Sequence, residues 1–487
     1  MILNGDVSKL LKSKKNINIF ICGIGGIGTS GLALLAKSCG YNVYGSNLEE
    51  NDNTKNLRKA GVEVFIGHNK DNLKECDIFV YTSAVNINTN VESIEAKKRQ
   101  VVMLNRGKML SIIMNDYYNI VIAGSHGKTT TTGLIGHAVN GLSLKPNVLV
   151  GGVLNSCKSN CHINDGKIFI VESDESDGSF LEMPVNICVI TNIDPEHMEF
   201  YKNNEVLENY FIDFGEKGLD KTGTVICLDS QMCSDIYDKL RIEKDNKNGK
   251  LISYSIKNNE ADYYGYNLRY KKNGLMFDVK DNLNKKDIKN VFLSNMFGDC
   301  NVLNALTTFA VSYLLENRNQ LDKDYKDVIN SLSNFEGIQK RFTILGKINN
   351  SIVVDDYAHN PQKIGCAIGS AKHYIKTNNI SGKIIAVFEP HRYTRVRDGI
   401  SGFCEALSKV DYVIVLPIYA SSEKPIEGIT QEFIVKELLK KNVKVVSCSL
   451  NIDEIKNAIK DIVKDDKDLI IVMGAGKSSK IAKQIID

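Results

Sequence analysis

Ile120-Val-Ile-Ala-Gly-Ser-His-Gly-Lys-Thr-Thr-Thr-Thr132 is the stretch whose residue types most plainly do chemistry. Its apolar start reads as a buried strand, and its polar half as a glycine-bounded turn that opens a helix. Gly124 and Gly127 let the backbone turn tightly and aim N–H groups at a phosphate. Lys128 can reach the terminal phosphates, and the Thr129 hydroxyl is placed to hold magnesium. The spacing is shorter than the usual G-x-x-x-x-G-K-[ST]. A chance Gly-Lys-Thr at a helix start is the alternative. The four-threonine run argues against it, because consecutive β-branched hydroxyl residues open a helix poorly unless something uses them.

Acids and one histidine are expected nearby. Lys167-Ile-Phe-Ile-Val-Glu172 and Asn186-Ile-Cys-Val-Ile-Thr191 read as strands, the first ending in Glu172 and the second running into Asn192-Ile-Asp-Pro-Glu-His197. Ligands collect at the C-terminal ends of such strands. A magnesium nucleotide needs few protein oxygens there, since the ion keeps several waters. Asp174, Glu175 and Asp177 fit a solvated loop, and at least some are expected to be one.

Other elements must hold these groups. Asn16 to Cys22 reads as a strand, followed by Gly23-Ile-Gly-Gly-Ile-Gly28 and a helical stretch from Ile27 to Cys39. A glycine-rich turn alone is weak evidence, but between a strand and a helix it has the context of a nucleotide fold. A second strand, Tyr41 to Gly45, leads to Ser46-Asn47, with Glu49 and Glu50 the nearest acids. Further strands at Val62 to Ile66, Asp77 to Tyr81 and Val101 to Leu104 make a small parallel sheet. Lys250 to Asn290 alternates like an antiparallel appendage, and Asn301 to Asn317 is an amphipathic helix. After Arg341, strands at Ser351 to Asp355, Lys383 to Phe388, Asp411 to Leu416, Lys444 to Cys448 and Leu469 to Met473 alternate with helical segments.

Size and charge bound the class. A chain of 487 residues suggests about three domains at ~150 residues each. With 61 Lys and Arg against 58 Asp and Glu, the net charge of +3 offers nothing to nucleic acid or an anionic membrane. No apolar run approaches the roughly 18 residues of a membrane span, and Met1 to Lys15 is polar, so membrane insertion is not expected and a cytoplasmic protein is. The 12 cysteines are scattered; Cys157 and Cys161 have no second pair to complete a zinc site, and most read as buried reduced thiols.

Taken in order, the motifs resemble those of the Mur ligases, over essentially the whole chain. They are Gly23-Ile-Gly-Gly-Ile-Gly28, Ser83-Ala-Val85, Ala123-Gly-Ser-His-Gly-Lys-Thr-Thr130, Glu172-Ser-Asp-Glu-Ser-Asp-Gly-Ser-Phe180, Thr191-Asn-Ile193 with His197, and Asn301-x-x-Asn304. Lys340-Arg-Phe342, Asp355-Asp-Tyr-Ala-His359 with Pro361, Pro390-His-Arg-Tyr-Thr-Arg395 and Tyr419 to Pro425 continue the series. The resemblance implies an α/β fold of three domains. These are a Rossmann-like N-terminal domain over 1–106, a P-loop ATPase-like parallel sheet with an antiparallel appendage over 107–342, and a Rossmann-like C-terminal domain over 343–487. It implies joining of L-alanine to UDP-N-acetylmuramate with ATP and Mg2+ through an acyl phosphate; a monomer and a homodimer both stay open.

By the same resemblance, Gly25, Gly26, Ile27, Gly28, Ser46 and Ser83 hold the sugar nucleotide. Gly124, Ser125, His126, Gly127, Lys128, Thr129, Thr130, Asn301, Asn304, Arg341 and Asp356 hold ATP. His359, His391, Arg392 and Arg395 hold the amino acid, two arginines suiting its carboxylate. Thr129, Glu172 and His197 hold the metal, or His197 orients water or a carboxylate beside it. The chemistry asks for such residues: a carboxylate attacking a phosphoryl group sets negative charge against negative charge, so fixed cations matter more than an acid or base. Lys128 and Arg341 would supply them and, with Glu172 and His197, form the catalytic set. The chain departs from the family pattern at Asn47, Glu196, Cys300 and Asn360. Two other readings are weighed. One is a Mur ligase that attaches a preformed peptide, whose relatives usually carry tyrosine where Ser176 stands. The other is a catalytically weakened sensor of UDP-sugar or ATP.

Overall fold

The computed structural model describes residues 16–82, 84–319, 325–421, 423–463 and 467–486. The polar stretch Met1 to Lys15 and Ser83 therefore lie outside the described residues. Three sheets carry the chain.

The first sheet is built from Asn18–Cys22 (β1), Asn42–Asn47 (β2), Glu63–Ile66 (β3), Ile78–Tyr81 (β4) and Val102–Asn105 (β5) in the order β3-β2-β1-β4-β5. All its pairings are parallel. Ile19, Phe20, Ile21 and Cys22 are wholly buried, as a central parallel strand covered on both faces requires. Asparagines start the returning helices: Asn51, Asn90 and Asn105 each accept a backbone N–H in the first turn.

The second sheet uses Tyr118–Ala123 (β6), Asn147–Leu154 (β7), Ser159–His162 (β8), Ile168–Glu172 (β9), Ile187–Ile190 (β10), Gly223–Cys227 (β11), Lys250–Ser255 (β12), Tyr263–Lys271 (β13), Gly274–Asp281 (β14) and Lys286–Ser294 (β15). Their order is β15-β14-β13-β12-β11-β10-β6-β9-β7-β8. β6 lies between β9 and β10, parallel to both, so the chain after β6 goes to one side of it and later returns to the other. A ligand crevice forms where strand order reverses in this way. β7 and β8 pair antiparallel, an edge hairpin the sequence reading did not foresee. The first helix, Ile27–Ser38, packs on this hairpin, since a Cβ on Gly31 would come within 2.2 Å of Leu149 Cδ1.

The third sheet comprises Thr343–Ile348 (β16), Ser351–Asp356 (β17), Ile384–Phe388 (β18), Tyr412–Val415 (β19), Val445–Ser447 (β20) and Leu469–Met473 (β21), ordered β16-β17-β21-β18-β19-β20. β16 is antiparallel to β17 and the other pairings are parallel, so this sheet is mixed. β16 escaped the sequence reading because Gly346 and a register shift beside it break its alternation. Asn349, in the left-handed region at φ 51°, makes the tight turn that joins it to β17.

The chain forms two compact units. One takes in the residues up to Gly265 with Val279–Ile288 and Leu303–Phe335; the other takes in Tyr266–Asp278, Lys289–Val302 and Glu336–Asp487. Within the first unit, one apolar core runs from Ile19 on β1 through Val121 on β6 to Leu251 on β12. In the second, Val354, Ile385, Ile414 and Ile471 fill the sheet's two faces. Most of the cysteines are buried and all are free thiols. Among the described residues, no helix is long and apolar enough to cross a membrane.

Candidate active site

In the first unit, β6 ends at Ala123, four residues turn, and the helix Lys128–Gly141 begins. Gly124 (φ 131°) and Gly127 (φ 81°) take conformations that side chains resist, and a Cβ on Gly124 would lie 2.2 Å from Thr191 Oγ1. The turn is laced to the segment after β10. Ser125 N–H donates to Asn192 O at 3.0 Å, His126 N–H to Asn192 Oδ1 at 2.8 Å, and Thr191 Oγ1 to His126 O at 2.7 Å. His126 Nε2 stands 2.8 Å from Asp194 Oδ2. No side chain caps the helix at Gly127, so its leading N–H groups are left for an anion.

Lys128 folds back over this turn, donating to Gly124 O and, at 2.7 Å, to Glu175 Oε2. Burial by itself would push the ammonium toward its neutral form. The carboxylates of Glu175 and Glu172 outweigh that and hold its pKa above the ordinary lysine value. Thr129 Oγ1 donates to Glu172 Oε1 at 3.0 Å, while Gly151 N–H holds Oε2 at 2.6 Å. His197, at φ 58°, precedes the short helix Met198–Tyr201 and puts Nε2 3.9 Å from Glu175 Oε1. Glu175, Glu196 and His197 each bring a ligand atom within 4.8 Å of the others.

These groups suit a hard divalent cation. Neighbouring oxygens around Mg2+ stand about 3 Å apart when each lies about 2.0–2.1 Å from the ion, close to the Thr129–Glu172 spacing of 3.0 Å. The solvated-loop expectation holds for Asp174 and Asp177, which are exposed, and fails for Glu175, which is only 3% exposed. Its burial follows from its partners: Lys128 neutralises the carboxylate, and Tyr201 Oη donates to its backbone carbonyl. No sequence signal separated it from the acids on either side. Asn304 completes this cluster by accepting from Thr131 Oγ1 at 3.1 Å, and Thr130 is buried in the same helix. Asn301 lies in the other unit's portion of the helix Cys300–Asn319, where its Nδ2 donates to Phe297 O at 2.7 Å.

At the first sheet, Gly23 and Ile24 N–H both donate to Ser46 O, at 2.8 and 2.9 Å, which closes the glycine turn. Gly25 N–H donates to Asn47 Oδ1 at 3.1 Å, and its carbonyl accepts from Asn53 Nδ2 at 2.9 Å. Gly28 lies under Arg106, Gly26 beside Thr29, and Ile27 is exposed. The Ser46 hydroxyl, expected to face the sugar nucleotide, is wholly buried and donates instead to Glu92 Oε2 at 2.6 Å.

The second unit gathers the remaining predicted residues around the ends of β17 and β18. Asp356 accepts Phe342 N–H and Ala358 N–H, both at 2.8 Å. Burial raises its pKa to about 6 against the pull of Arg341. The Arg341 guanidinium lies over the Tyr357 ring at 5.4 Å. Burial and nearby Lys363 and Arg395 lower His359 to about 2, and burial with Arg395 and Arg392 lowers His391 to about 4. Both imidazoles are therefore neutral near pH 7. Arg395 Nη1 donates to His391 Nδ1 at 3.0 Å, and the His359 and His391 rings are 5.6 Å apart. The two arginines do not act as a pair, because Arg392 is committed to Glu423 at 2.7 Å, alongside Thr394 Oγ1 at 2.6 Å. Asn360 caps the helix Pro361–Thr377 by accepting Lys363 N–H at 2.9 Å, which gives that departure from the family pattern a local reason.

Comparison with known proteins covers the chain in the same order as its three sheets. The family described as "Mur ligase family, catalytic domain" matches residues 18–118, "Mur ligase middle domain" 122–312, and "Mur ligase, glutamate ligase domain" 340–476. UDP-N-acetylmuramate–L-alanine ligase of Rickettsia felis is 34% identical over 96% of this chain and 95% of its own length. The enzyme of the same name from Rickettsia typhi is also 34% identical, over 96% and 91%. The crystal structure of UDP-N-acetylmuramate–alanine ligase from Thermotoga maritima superposes with a TM-score of 0.79 at 26% identity, covering 96% of this chain and 98% of that one. A murein peptide ligase from Psychrobacter arcticus shares the fold at a TM-score of 0.69 and 21% identity, covering 96% and 98%.

Proposed function

This chain belongs to the Mur ligase family, and from that premise we propose that it joins L-alanine to UDP-N-acetylmuramate. ATP is consumed, and the products are UDP-N-acetylmuramoyl-L-alanine, ADP and phosphate, a step in peptidoglycan precursor synthesis in the cytoplasm. The observation that carries the reading is the buried Lys128 ammonium, held charged beside Glu175 at the mouth of an uncapped helix, with Thr129 and Glu172 3.0 Å apart next to it.

The sugar's lactyl carboxylate attacks the γ-phosphoryl group, and the alanine amine then displaces phosphate from the acyl phosphate. Lys128 and the helix N–H groups face the negative charge that develops in the first step. Thr129 and Glu172, with His197, would hold Mg2+, and Glu175 and Glu196 lie beside His197. When bound, the ion neutralises phosphate charge. Ser125, His126, Asn301, Asn304, Arg341 and Asp356 are assigned to the nucleotide, and the turn Gly25 to Gly28 to the sugar nucleotide. In the amino-acid site, Arg395 and the neutral His359 and His391 receive alanine, while Arg392 positions the segment through Glu423. Residues 1–106, 107–342 and 343–487 are the corresponding domains.

Phosphate release from ATP tests this directly. It should require UDP-N-acetylmuramate and L-alanine together. Release that responds to a preformed peptide and not to alanine would instead make the chain a peptide-attaching ligase, and ATP or UDP-sugar binding without turnover would make it a sensor.

A further inference from the structure

Under the glycine turn lies a cluster that the ligation reading leaves unused. Cys22 ends β1, Ser46 lies near the end of β2, His68 follows β3, and Glu92 opens the helix Val91–Lys98. The side chains of Glu92, Cys22 and Ser46 are wholly buried, and His68 is 22% exposed. Glu92 Oε2 stands 3.3 Å from Cys22 Sγ, 2.9 Å from His68 Nδ1 and 2.6 Å from Ser46 Oγ. His68 Nδ1 is 3.8 Å from Cys22 Sγ and 3.0 Å from Ser46 Oγ. Oε1 is fixed separately by Asn72 Nδ2 at 2.7 Å and Asn69 N–H at 3.2 Å, which aims Oε2 at the cluster. Among the described residues, no lysine or arginine bonds to Glu92.

We propose that Cys22, His68 and Glu92 form a zinc-class divalent metal site, with the Ser46 hydroxyl or a water as the fourth ligand. The donor set is thiolate, imidazole and carboxylate, which suits Zn2+ and excludes a hard ion such as Mg2+. Ligand bonds of about 2.3 Å to sulfur and about 2.0–2.1 Å to nitrogen and oxygen put tetrahedral edges at roughly 3.6 Å (S–N and S–O) and roughly 3.3 Å (N–O). The observed separations of 3.8, 3.3 and 2.9 Å lie within a few tenths of an ångström of these, so small side-chain rotations seat the ion. A divalent charge also compensates a buried carboxylate that otherwise has only hydrogen-bond donors around it.

Binding balances simply. The ion enters past His68, Cys22 loses its thiol proton to solvent, and the proton by which His68 Nδ1 donates to Glu92 Oε2 passes through solvent to Nε2, which frees Nδ1 to coordinate. One proton is released per ion. Because Ser46 O also receives the Gly23 and Ile24 N–H groups, the ion ties β1, β2 and the helix Val91–Lys98 together at the base of the turn.

The test uses the full chain stripped of metal by a chelator and titrated with Co2+ alone, then with Zn2+. The expected result is a near-ultraviolet thiolate-to-cobalt charge-transfer band that saturates at one ion per chain and bleaches when Zn2+ is added. Cys22→Ser should lose the band. His68→Gln, at a partly exposed position, should weaken Zn2+ binding at least ~10-fold in competition with a chromophoric chelator. Zn2+ should raise the unfolding temperature of the parent and leave that of Cys22→Ser unchanged. Absence of the band, or a band that persists in Cys22→Ser, overturns the proposal. The Glu175–Glu196–His197 group cannot produce that signal, because it contains no sulfur.

Discussion

The Lys128 ammonium lies 2.7 Å from Glu175 Oε2, with the two side chains 13% and 4% exposed. A lysine so placed is charged before any nucleotide arrives, and a phosphate that takes it must share it with Glu175 or displace it. Breaking one half of a buried pair leaves the other uncompensated.

Lys128→Ala should abolish turnover when phosphate release is followed at saturating substrates. More than about a tenth of the parent rate, only ~1.4 kcal/mol of barrier, would remove Lys128 from the chemistry. Glu175→Gln keeps the shape but removes the charge that opposes Lys128 desolvation. It should lower kcat/KM at least ~10-fold, the order set by one electrostatic partner in a dry site. A parent-like value would make Glu175 a packing residue.

Glu172→Gln should raise the Mg2+ concentration needed for half-maximal rate by ~10-fold or more, as expected for a lost anionic ligand. Titrating Mg2+ at fixed ATP checks this. An unchanged Mg2+ dependence would mean that the Thr129–Glu172 contact is only structural.

Arg395→Lys keeps a charge but loses the planar fork, so the KM for alanine should rise well beyond any change in the KM for ATP. Equal increases would assign Arg395 to something other than the amino-acid carboxylate. Glu423→Gln releases Arg392 and Thr394 from their shared carboxylate, and it should also raise the KM for alanine through the displaced segment.

Acid should weaken the second unit. Unfolded imidazoles titrate near 6.5, whereas His391 and His359 are lowered to about 4 and about 2 in the fold, so the unfolded chain takes up more protons below pH 6.5. Stability is complete above that pH and is lost as pH falls toward those lower values. Asp356 acts the other way, since it is raised from 3.8 to about 6 and its unfolded form binds fewer protons in that window. Two histidines outweigh one carboxyl. The urea midpoint should therefore fall between about pH 7 and 5, and His391→Gln should flatten the fall. An equally steep fall in that variant would place the acid sensitivity elsewhere.

Cys300 opens the helix Cys300–Asn319, and its thiol pKa is held up by a hydrogen bond with Cys366 and by burial. An imidazole there is a better donor than a thiol, and one hydrogen bond is worth roughly 0.5–1.5 kcal/mol. Cys300→His should lower the KM for ATP by about 2- to 10-fold, with kcat and nucleotide-free thermal stability unchanged. A destabilised protein without improved ATP affinity would mark Cys300 as packed against Cys366 and nothing more.

The glycine turn ahead of Lys128 was legible in the sequence because its physics is local: an apolar strand, two glycines that must take positive φ, and Lys-Thr at a helix start sit within a dozen residues. The βα alternation of the first and third sheets was legible for the same reason, since burial on both faces writes continuous apolar runs such as Ile19 to Cys22 and Leu469 to Met473. Elements whose stability comes from neighbours were not. β8 is Ser-Asn-Cys-His and β16 carries a glycine at a register shift, so pairing makes them strands where local pattern does not. Side-chain partnership was likewise decided only by the tertiary structure. Glu175 differs from Asp174 and Asp177 only by what the fold brings opposite it, Lys128. The Ser46 hydroxyl turns inward because Glu92, forty-six residues away in sequence, needs donors in a buried site, and Arg392 is held by Glu423 from another loop. Such choices depend on which charges a closed core must neutralise, and that is set by contacts between residues far apart in the chain.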